Sequence, residues 1–111
     1  MPTVSVGDMD IIFSNYHREP TGVPGMELLT LDLTYRLDNL RTTEPQLPPL
    51  LEVRDNLGNV FTPVLEDTPT EPLNPGDSVR ANPRFEISVH SQKLDVVVAP
   101  GTAAEAHIEL T

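Results

Sequence analysis

The sequence predicts an all-β domain built as a sandwich of antiparallel sheets. Its 111 residues suffice for a single domain with a buried core. Apolar residues recur with a period of two along nearly the whole chain, which is the pattern of half-buried β-strands. Twelve prolines and six glycines interrupt the chain too often for long helices. We therefore expect about seven to eight short strands separated by turns.

Two short strands are predicted at the start of the chain, Thr3–Val6 and Asp10–Tyr16. The isoleucines and the phenylalanine of the second segment alternate between its two faces. The next segment, His17–Gly25, has the sequence HREPTGVPG, in which prolines and glycines indicate a turn-rich loop. We expect the second strand to end before this loop.

The segment Leu28–Leu37 carries the clearest strand pattern in the sequence. Apolar and polar positions alternate strictly, in the order Leu29, Thr30, Leu31, Asp32, Leu33, Thr34, Tyr35, Arg36, Leu37 and Asp38. A helix would place Asp32 and Arg36 on the same side as two of these leucines. We therefore predict a strand with one buried side and one solvent-facing side.

An irregular connection and a hairpin are predicted next. The connection Asp38–Pro49 contains three prolines, which exclude it from the centre of a sheet. Leu50–Arg54 and Val60–Leu65 are predicted strands. Between them, Asp55–Asn59 has the sequence DNLGN, in which asparagine and glycine tolerate positive φ, so we predict a hairpin turn.

The C-terminal part is predicted to begin with a loop, Glu66–Gly76, that ends in Asn-Pro-Gly. Extended segments follow: Ser78–Arg80, with a break at Pro83, then the alternations Phe85/Ile87/Val89, Leu94/Val96/Val98 and Ala106/Ile108/Leu110. No segment suits the crossover helix of a parallel βαβ unit, so we expect antiparallel sheets. The expected core residues are Ile11 or Ile12, Phe13, Leu29, Leu31, Leu33, Tyr35, Leu51, Val53, Phe61, Phe85, Ile87, Val89, Leu94, Val96, Val98, Ile108 and Leu110.

The composition is strongly acidic. Seventeen Asp and Glu residues against seven Lys and Arg give a net charge of −10 and a pI of about 4.4. Repulsion from phosphate argues against binding to DNA, RNA or anionic lipid. The sequence has no cysteine, which excludes disulfides, cysteine-ligated metal centres and thiol nucleophiles.

Neither a signal peptide nor a membrane segment is predicted. Met1–Asp10 has no Lys or Arg and contains two acids, unlike the cationic start of a signal peptide. No stretch approaches the roughly 18 apolar residues of a transmembrane helix. We expect one domain over residues 1–111, without membrane insertion.

Three stretches together carry a family resemblance: GMELLTLDLTYRLDN (Gly25–Asn39), LLEVRDNLGNVFTP (Leu50–Pro63) and LNPGDSVRANPRFEISVHSQKLDVVVAPG (Leu73–Gly101). Followed by a last strand ending in IEL, they resemble the immunoglobulin-like domains of unknown function in bacterial and archaeal extracytoplasmic proteins and lipoproteins. The mycobacterial secreted immunoprotective antigens have a similar sandwich. The resemblance covers roughly Asp8–Leu110. It implies an immunoglobulin-like β-sandwich at an extracytoplasmic, secreted or cell-surface location, and it supplies no catalytic residues.

Two of the three histidines suggest a metal site. His90 and His107 lie on the polar sides of two predicted strands, and they would become neighbours if those strands paired. Glu86, Glu105 or Glu109 would then supply the additional ligands that zinc needs. Solvated surface histidines are the simpler interpretation, and we expect no metal.

Two acidic loops suggest calcium, which binds clustered carboxylate and carbonyl oxygens. The candidate sets are Asp55, Asn56 and Asn59 in the hairpin turn, and Glu66 and Asp67 with Glu71 in the following loop. The alternative for the first set is a hairpin turn whose residues serve the backbone conformation alone.

We expect no enzymatic activity, no catalytic residues and no cofactor. The candidate serine nucleophiles, none of which lies in a nucleophile-elbow pattern, are Ser5, Ser14, Ser78, Ser88 and Ser91. With seventeen acids in 111 residues, close carboxylate pairs arise by chance, so they do not by themselves indicate a glycosidase.

Two functions remain. The first is a non-enzymatic interaction module of an extracytoplasmic or particle surface, which binds a protein or a glycan. The alternative is a virion decoration protein or a sheath or filament subunit that self-assembles without a signal peptide. We expect binding at the proline-rich loops His17–Gly25, Asn39–Pro49 and Glu66–Gly76. The competing surface is an edge strand, Thr3–Val6 or Ala106–Leu110.

Overall fold

The structure is a computed structural model that describes residues 2–63 and 71–110. Nine β-strands form within those ranges: β1 (Thr3–Val6), β2 (Met9–Pro20), β3 (Met26–Leu37), β4 (Leu51–Arg54), β5 (Val60–Phe61), β6 (Ser78–Ala81), β7 (Arg84–Ser88), β8 (Leu94–Val98) and β9 (Ala106–Leu110). Within the described ranges, no helix is both long and apolar enough to cross a membrane.

The strands form two sheets, and every pairing is antiparallel. The first sheet has the order β1-β2-β3, with β6 and β7 end to end along the far side of β3. The second sheet has the order β5-β4-β8-β9. Apolar side chains from both sheets form one core, so the predicted all-β sandwich is confirmed. The nine strands of the described residues exceed the expected seven to eight, and each corresponds to one of the extended segments predicted above.

The strand β3 lies at the centre of the first sheet and supplies much of the core. Its predicted alternation is confirmed, since Leu29, Leu31, Leu33, Tyr35 and Leu37 are all fully buried. The facing contributions come mainly from the second sheet: Leu51, Val53, Leu94, Val96, Val98, Ile108 and Leu110. Burial of these apolar side chains is the main stabilising term of the fold.

The strand β2 continues past the point where the sequence predicts its end. Its register with β3 shifts by one residue between Phe13 and Asn15, which is a β-bulge. The bulge moves the inward-facing position from Phe13 to Tyr16, and these two rings lie 6.0 Å apart. The predicted loop His17–Gly25 is therefore wrong in its first four residues, which belong to β2, and the loop begins at Thr21.

The strands β6 and β7 share one register with β3 and are interrupted at Asn82 and Pro83. The N–H group of Leu31 donates to the carbonyl of Pro83 at 3.0 Å, but proline has no N–H to return the bond. The Asn82 side chain supplies that donor, since its Nδ2 lies 3.2 Å from the Leu31 carbonyl oxygen. The interruption of the strand expected at Pro83 is thus confirmed, and the Asn82 side chain supplies the hydrogen bond that the proline cannot donate.

Several smaller expectations need correction. Val89 was predicted in the core but is 40% exposed, because the chain turns after Ser88. Phe61 packs against the core but is only half-buried. The buried side chains that the alternation did not select include Met9, Leu73 and Val97.

Two strand boundaries also differ from the prediction. The strand predicted at Leu50–Arg54 begins at Leu51. Of the predicted segment Val60–Leu65, the structure places Val60–Phe61 in β5, and residues 64 and 65 lie outside the described residues.

Candidate functional site

The connection from β3 to β4, residues 38–50, carries three leucines in solvent. Leu40, Leu47 and Leu50 have relative exposures of 91, 64 and 79%. Single exposed leucines are ordinary on a protein surface, but three within one short connection make it a candidate contact surface. The connection leaves the first sheet and enters the second, so it bridges the two layers of the sandwich.

A turn at Asp38 anchors the first part of this connection. The N–H of Leu40 donates to Asp38 Oδ1 at 2.8 Å, and the N–H of Arg41 donates to the Asp38 carbonyl at 3.2 Å. Nη2 of Arg41 also donates to both carboxylate oxygens of Asp10, at 3.1 and 2.9 Å. These bonds hold the turn against the outer side of the first sheet and leave Leu40 exposed.

The carboxylate of Asp10 joins three parts of the fold. It is only 4% exposed, and it accepts hydrogen bonds from Ser5 Oγ at 2.7 Å and from Arg36 at 3.0 Å in addition to Arg41. The bonds from Ser5, Arg36 and Arg41 outweigh the effect of burial and lower the pKa of Asp10. The ionised carboxylate therefore ties β1, β3 and the connection together.

Two further anchors hold the rest of the connection. Gln46 and Leu73 exchange backbone hydrogen bonds of 3.0 and 2.8 Å, and Gln46 Nε2 donates to Asp8 at 3.1 Å. The carbonyl of Leu50 accepts from the N–H of Ala99 at 2.8 Å. The leucines are thus presented by a backbone held at several points, which limits the entropy lost on binding.

The hairpin turn Asp55–Asn59 lies at the opposite end of β4, and its prediction is confirmed. The Asp55 carboxylate accepts from the N–H groups of Leu57 and Asn59, from Asn59 Nδ2 and from Ser91 Oγ. Burial acts to raise the pKa of Asp55, but the bonds from Ser91 and Asn59 outweigh it and lower the pKa to about 2. This carboxylate serves the turn, which favours the backbone interpretation over calcium.

The other calcium candidates fall largely outside the structure. Glu66 and Asp67 lie outside the described residues, and Glu71 is exposed. Within residues 2–63 and 71–110, no cluster of three or more histidine, aspartate or glutamate side chains could hold a metal ion.

The structure does not bring His90 and His107 together. His90 follows β7 in the first sheet, whereas His107 lies on β9 in the second sheet. Nε2 of His107 lies 3.0 Å from Glu105, and its Nδ1 contacts Asp95. Glu105 and Asp95 raise the pKa of His107 above its ordinary value. Because they engage opposite ring nitrogens, they favour an imidazolium that donates to both.

A shallow depression of about 490 Å³ lies on the outer side of the first sheet. His17, Thr30 and Arg80 are among its lining residues. Nε of Arg80 donates to Asp32 at 2.8 Å, and this contact lowers the pKa of Asp32. A polar, open depression of this kind differs from the mostly apolar, concave pockets that hold small molecules.

Comparison with known proteins supports the fold alone. No family model matches the chain, and no curated protein matches it. A 2.2 Å crystal structure of a conserved hypothetical protein from Bacillus anthracis is similar, with a TM-score of 0.74 and 14% sequence identity. The match covers 99% of this chain and 92% of that one, so the two chains share a fold over their whole lengths.

The sequence predicted this connection as a binding loop but did not select its leucines. Prolines on both sides of Leu47 were the available signal, because they keep the segment out of a sheet and so out of the core. Leu73, which lies in another predicted binding loop, is buried against the core instead.

Proposed function

We propose that this chain is an immunoglobulin-like domain that acts as a non-enzymatic protein-interaction module of an extracytoplasmic or particle surface. The observation that carries the proposal is the set of three exposed leucines on the anchored connection 38–50. The two antiparallel sheets support a sandwich. The sequence resemblance described above supplies the immunoglobulin-like type and the surface location.

The partner is a protein with an apolar recess and a basic rim. Burying an exposed leucine side chain contributes about 1.5–3 kcal/mol before the costs of association. On the connection Asp38 is paired with Arg41, which leaves the charge of Glu44, and the chain as a whole carries a charge of −10. Basic groups around the recess would complement this surface.

Site-specific photo-crosslinking in the source cells tests the proposal. A benzophenone amino acid replaces Leu47, and the control replaces Leu57, which is 59% exposed at the opposite end of β4. We expect a discrete covalent adduct from position 47, identifiable by mass spectrometry, and none of that mass from position 57. The same adducts from both positions, or none from position 47, would contradict the proposal.

Paired substitutions show whether the leucines themselves bind. Leu40→Ser with Leu50→Ser should abolish the adduct from position 47 while leaving thermal stability nearly unchanged, because exposed substitutions usually alter stability by no more than about 0.5 kcal/mol. An adduct that survives both substitutions would show that the leucines do not form the contact.

The second candidate is a subunit of a repeating assembly. The observation that favours it is β1, an edge strand of the first sheet whose residues carry no charge. Its test is self-association of the purified chain.

A further inference from the structure

The backbone of β1 directs alternate residues away from the sheet. The N–H of Phe13 donates to the carbonyl of Pro2 at 2.9 Å. Hydrogen-bonded pairs alternate along an antiparallel ladder, so the even-numbered residues of β1 bond to β2. The N–H and C=O groups of Thr3 and Ser5 therefore point outward from the edge of the first sheet.

The side chains of β1 leave the core incompletely covered at this edge. Val4 and Val6 face the core but are only half-buried. At the opposite edge of the same sheet, the inward residues Phe85 and Ile87 of β7 are fully buried. An added strand beside β1 would extend the sheet and cover the two valines.

Charge distinguishes β1 from the edges formed by β6, β7 and β9. Residues 1–7 contain no charged side chain, although the chain carries a charge of −10. The edge-facing positions of β6 and β7 include Arg80, Arg84 and Glu86, and the edge of β9 includes Glu109. Charged side chains discourage strand addition, and β1 lacks this protection.

We propose that β1 is a docking strand for β1 of a second copy of this chain, paired antiparallel about a two-fold axis. Thr3 then forms a hydrogen-bonded pair with Ser5 of the second copy, and Ser5 with its Thr3. Val4 lies on the axis, opposite the same valine of the second copy. The strand cannot extend further, because Gly7 has a φ of +60° and begins the turn into β2.

A second copy satisfies this edge because the outward pattern is self-complementary. Thr3 and Ser5, each with an outward N–H and C=O group, lie on either side of the half-buried Val4. A two-fold axis at Val4 therefore pairs every outward N–H of one copy with an outward C=O of the other. The contact goes beyond the partner surface at the connection. Because a two-fold contact closes at a dimer, it would supply only one of the interfaces that a repeating assembly needs. The −10 charge of each copy opposes association, so higher salt should favour it.

Single cysteines test both the contact and its register, since the natural chain has none. In a non-hydrogen-bonded pair the two Cα atoms lie about 4.5 Å apart, within the range of a disulfide. Val4→Cys should therefore form a covalent dimer under mild oxidation in about 1 M sodium chloride. Val6→Cys is the matched control on the same face, where the two Cα atoms would lie about 13 Å apart.

We expect Val4→Cys to cross-link at least about tenfold faster than Val6→Cys, given this difference in distance. Equal rates, a faster Val6→Cys reaction or no dimer from either variant would overturn the proposal.

A proline substitution separates edge pairing from random collision. Thr3→Pro removes an outward N–H without touching the ladder to β2, so in the Val4→Cys background it should abolish the cross-link. Thr3→Ala keeps the N–H and should preserve it. A cross-link that survives Thr3→Pro would contradict the proposal. Because these assays use the purified chain alone, their outcome is independent of partner binding at the connection.

Discussion

The two edges of the first sheet differ in how completely their inward side chains are buried. Along β7 the inward side chains Phe85 and Ile87 are fully buried, whereas β6 contributes the buried Ala81 and the partly buried Val79. Charged residues occupy edge-facing positions of both strands. Along β1 the inward valines are half-buried and no residue is charged. Both edges belong to one sheet with β3 at its centre, so the difference comes from the edge residues themselves. One edge serves stability, and the other leaves apolar surface and backbone groups for a contact.

The largest expected difference between the edges concerns core burial. Phe85→Ala in β7 should lower the free energy of unfolding by about 3–5 kcal/mol, because it opens a cavity at a fully buried position. Val4→Ala in β1 should cost less than about 1.5 kcal/mol, because part of that side chain is already in water. Urea unfolding followed by circular dichroism measures both values. Similar losses of unfolding free energy for the two variants would show that the two edges do not differ in burial.

Attachment of β1 to the sheet should depend on pH through Asp10. Its pKa is lowered in the folded state by hydrogen bonds from Ser5, Arg36 and Arg41. A lowered carboxyl pKa gives stability that is present above the unfolded value, ordinarily 3.8, and is lost as pH falls through the folded value. Unfolding free energy should therefore decline below about pH 4.

Asp10→Asn isolates this contribution. We expect a loss of about 2 kcal/mol at pH 7, the usual range for hydrogen bonds to a charged group, and a difference from wild type that shrinks as pH falls. Glu109→Gln, at an exposed carboxylate of the second sheet, is the control. A wild-type advantage that stayed constant down to pH 2 would mean that Asp10 does not titrate as described.

A smaller effect is expected at the proline break of the opposite edge. Asn82→Ala removes the donor that replaces the missing N–H of Pro83, so the carbonyl of Leu31 loses its partner. The expected loss is about 1 kcal/mol, whereas the exposed Glu86→Ala on the same edge should change stability by less than about 0.5 kcal/mol. Thermal unfolding of the two variants checks this difference. Equal melting temperatures would show that the amide does not repair the ladder.

The sequence alone predicted the central strand of the first sheet, but it did not predict the irregularities of the neighbouring strands. Strict alternation identified the buried residues of β3, because in a regular strand every second side chain lies on the same face. The bulge after Phe13 changes which residues face inward, so the alternation stops at Tyr16 and the rest of β2 resembles a loop. Val89 continues the alternation of β7, yet the chain turns at Ser88.

The candidate surfaces were predictable only in outline. Prolines placed the connection 38–50 outside the sheets, but its exposed leucines depend on distant anchors such as the contact between Arg41 and Asp10. Thr3–Val6 and Ala106–Leu110 were predicted as edge strands, and β1 and β9 do lie at the edges of their sheets. Which neighbours they pair with depends on strand order, which the pattern of one strand does not contain. Long-range pairing, rather than local sequence, decides both surfaces.

Amide hydrogen exchange resolved by NMR tests the contrast between the edges most directly. In dilute protein at low salt, the amides of Val4 and Val6 should exchange slowly because they bond to β2, and those of Thr3 and Ser5 should exchange fast. At high protein concentration in about 1 M salt, Thr3 and Ser5 should become protected, while Arg80 should keep its exchange rate. Unchanged exchange at Thr3 and Ser5, or new protection at Arg80, would contradict an open edge at β1.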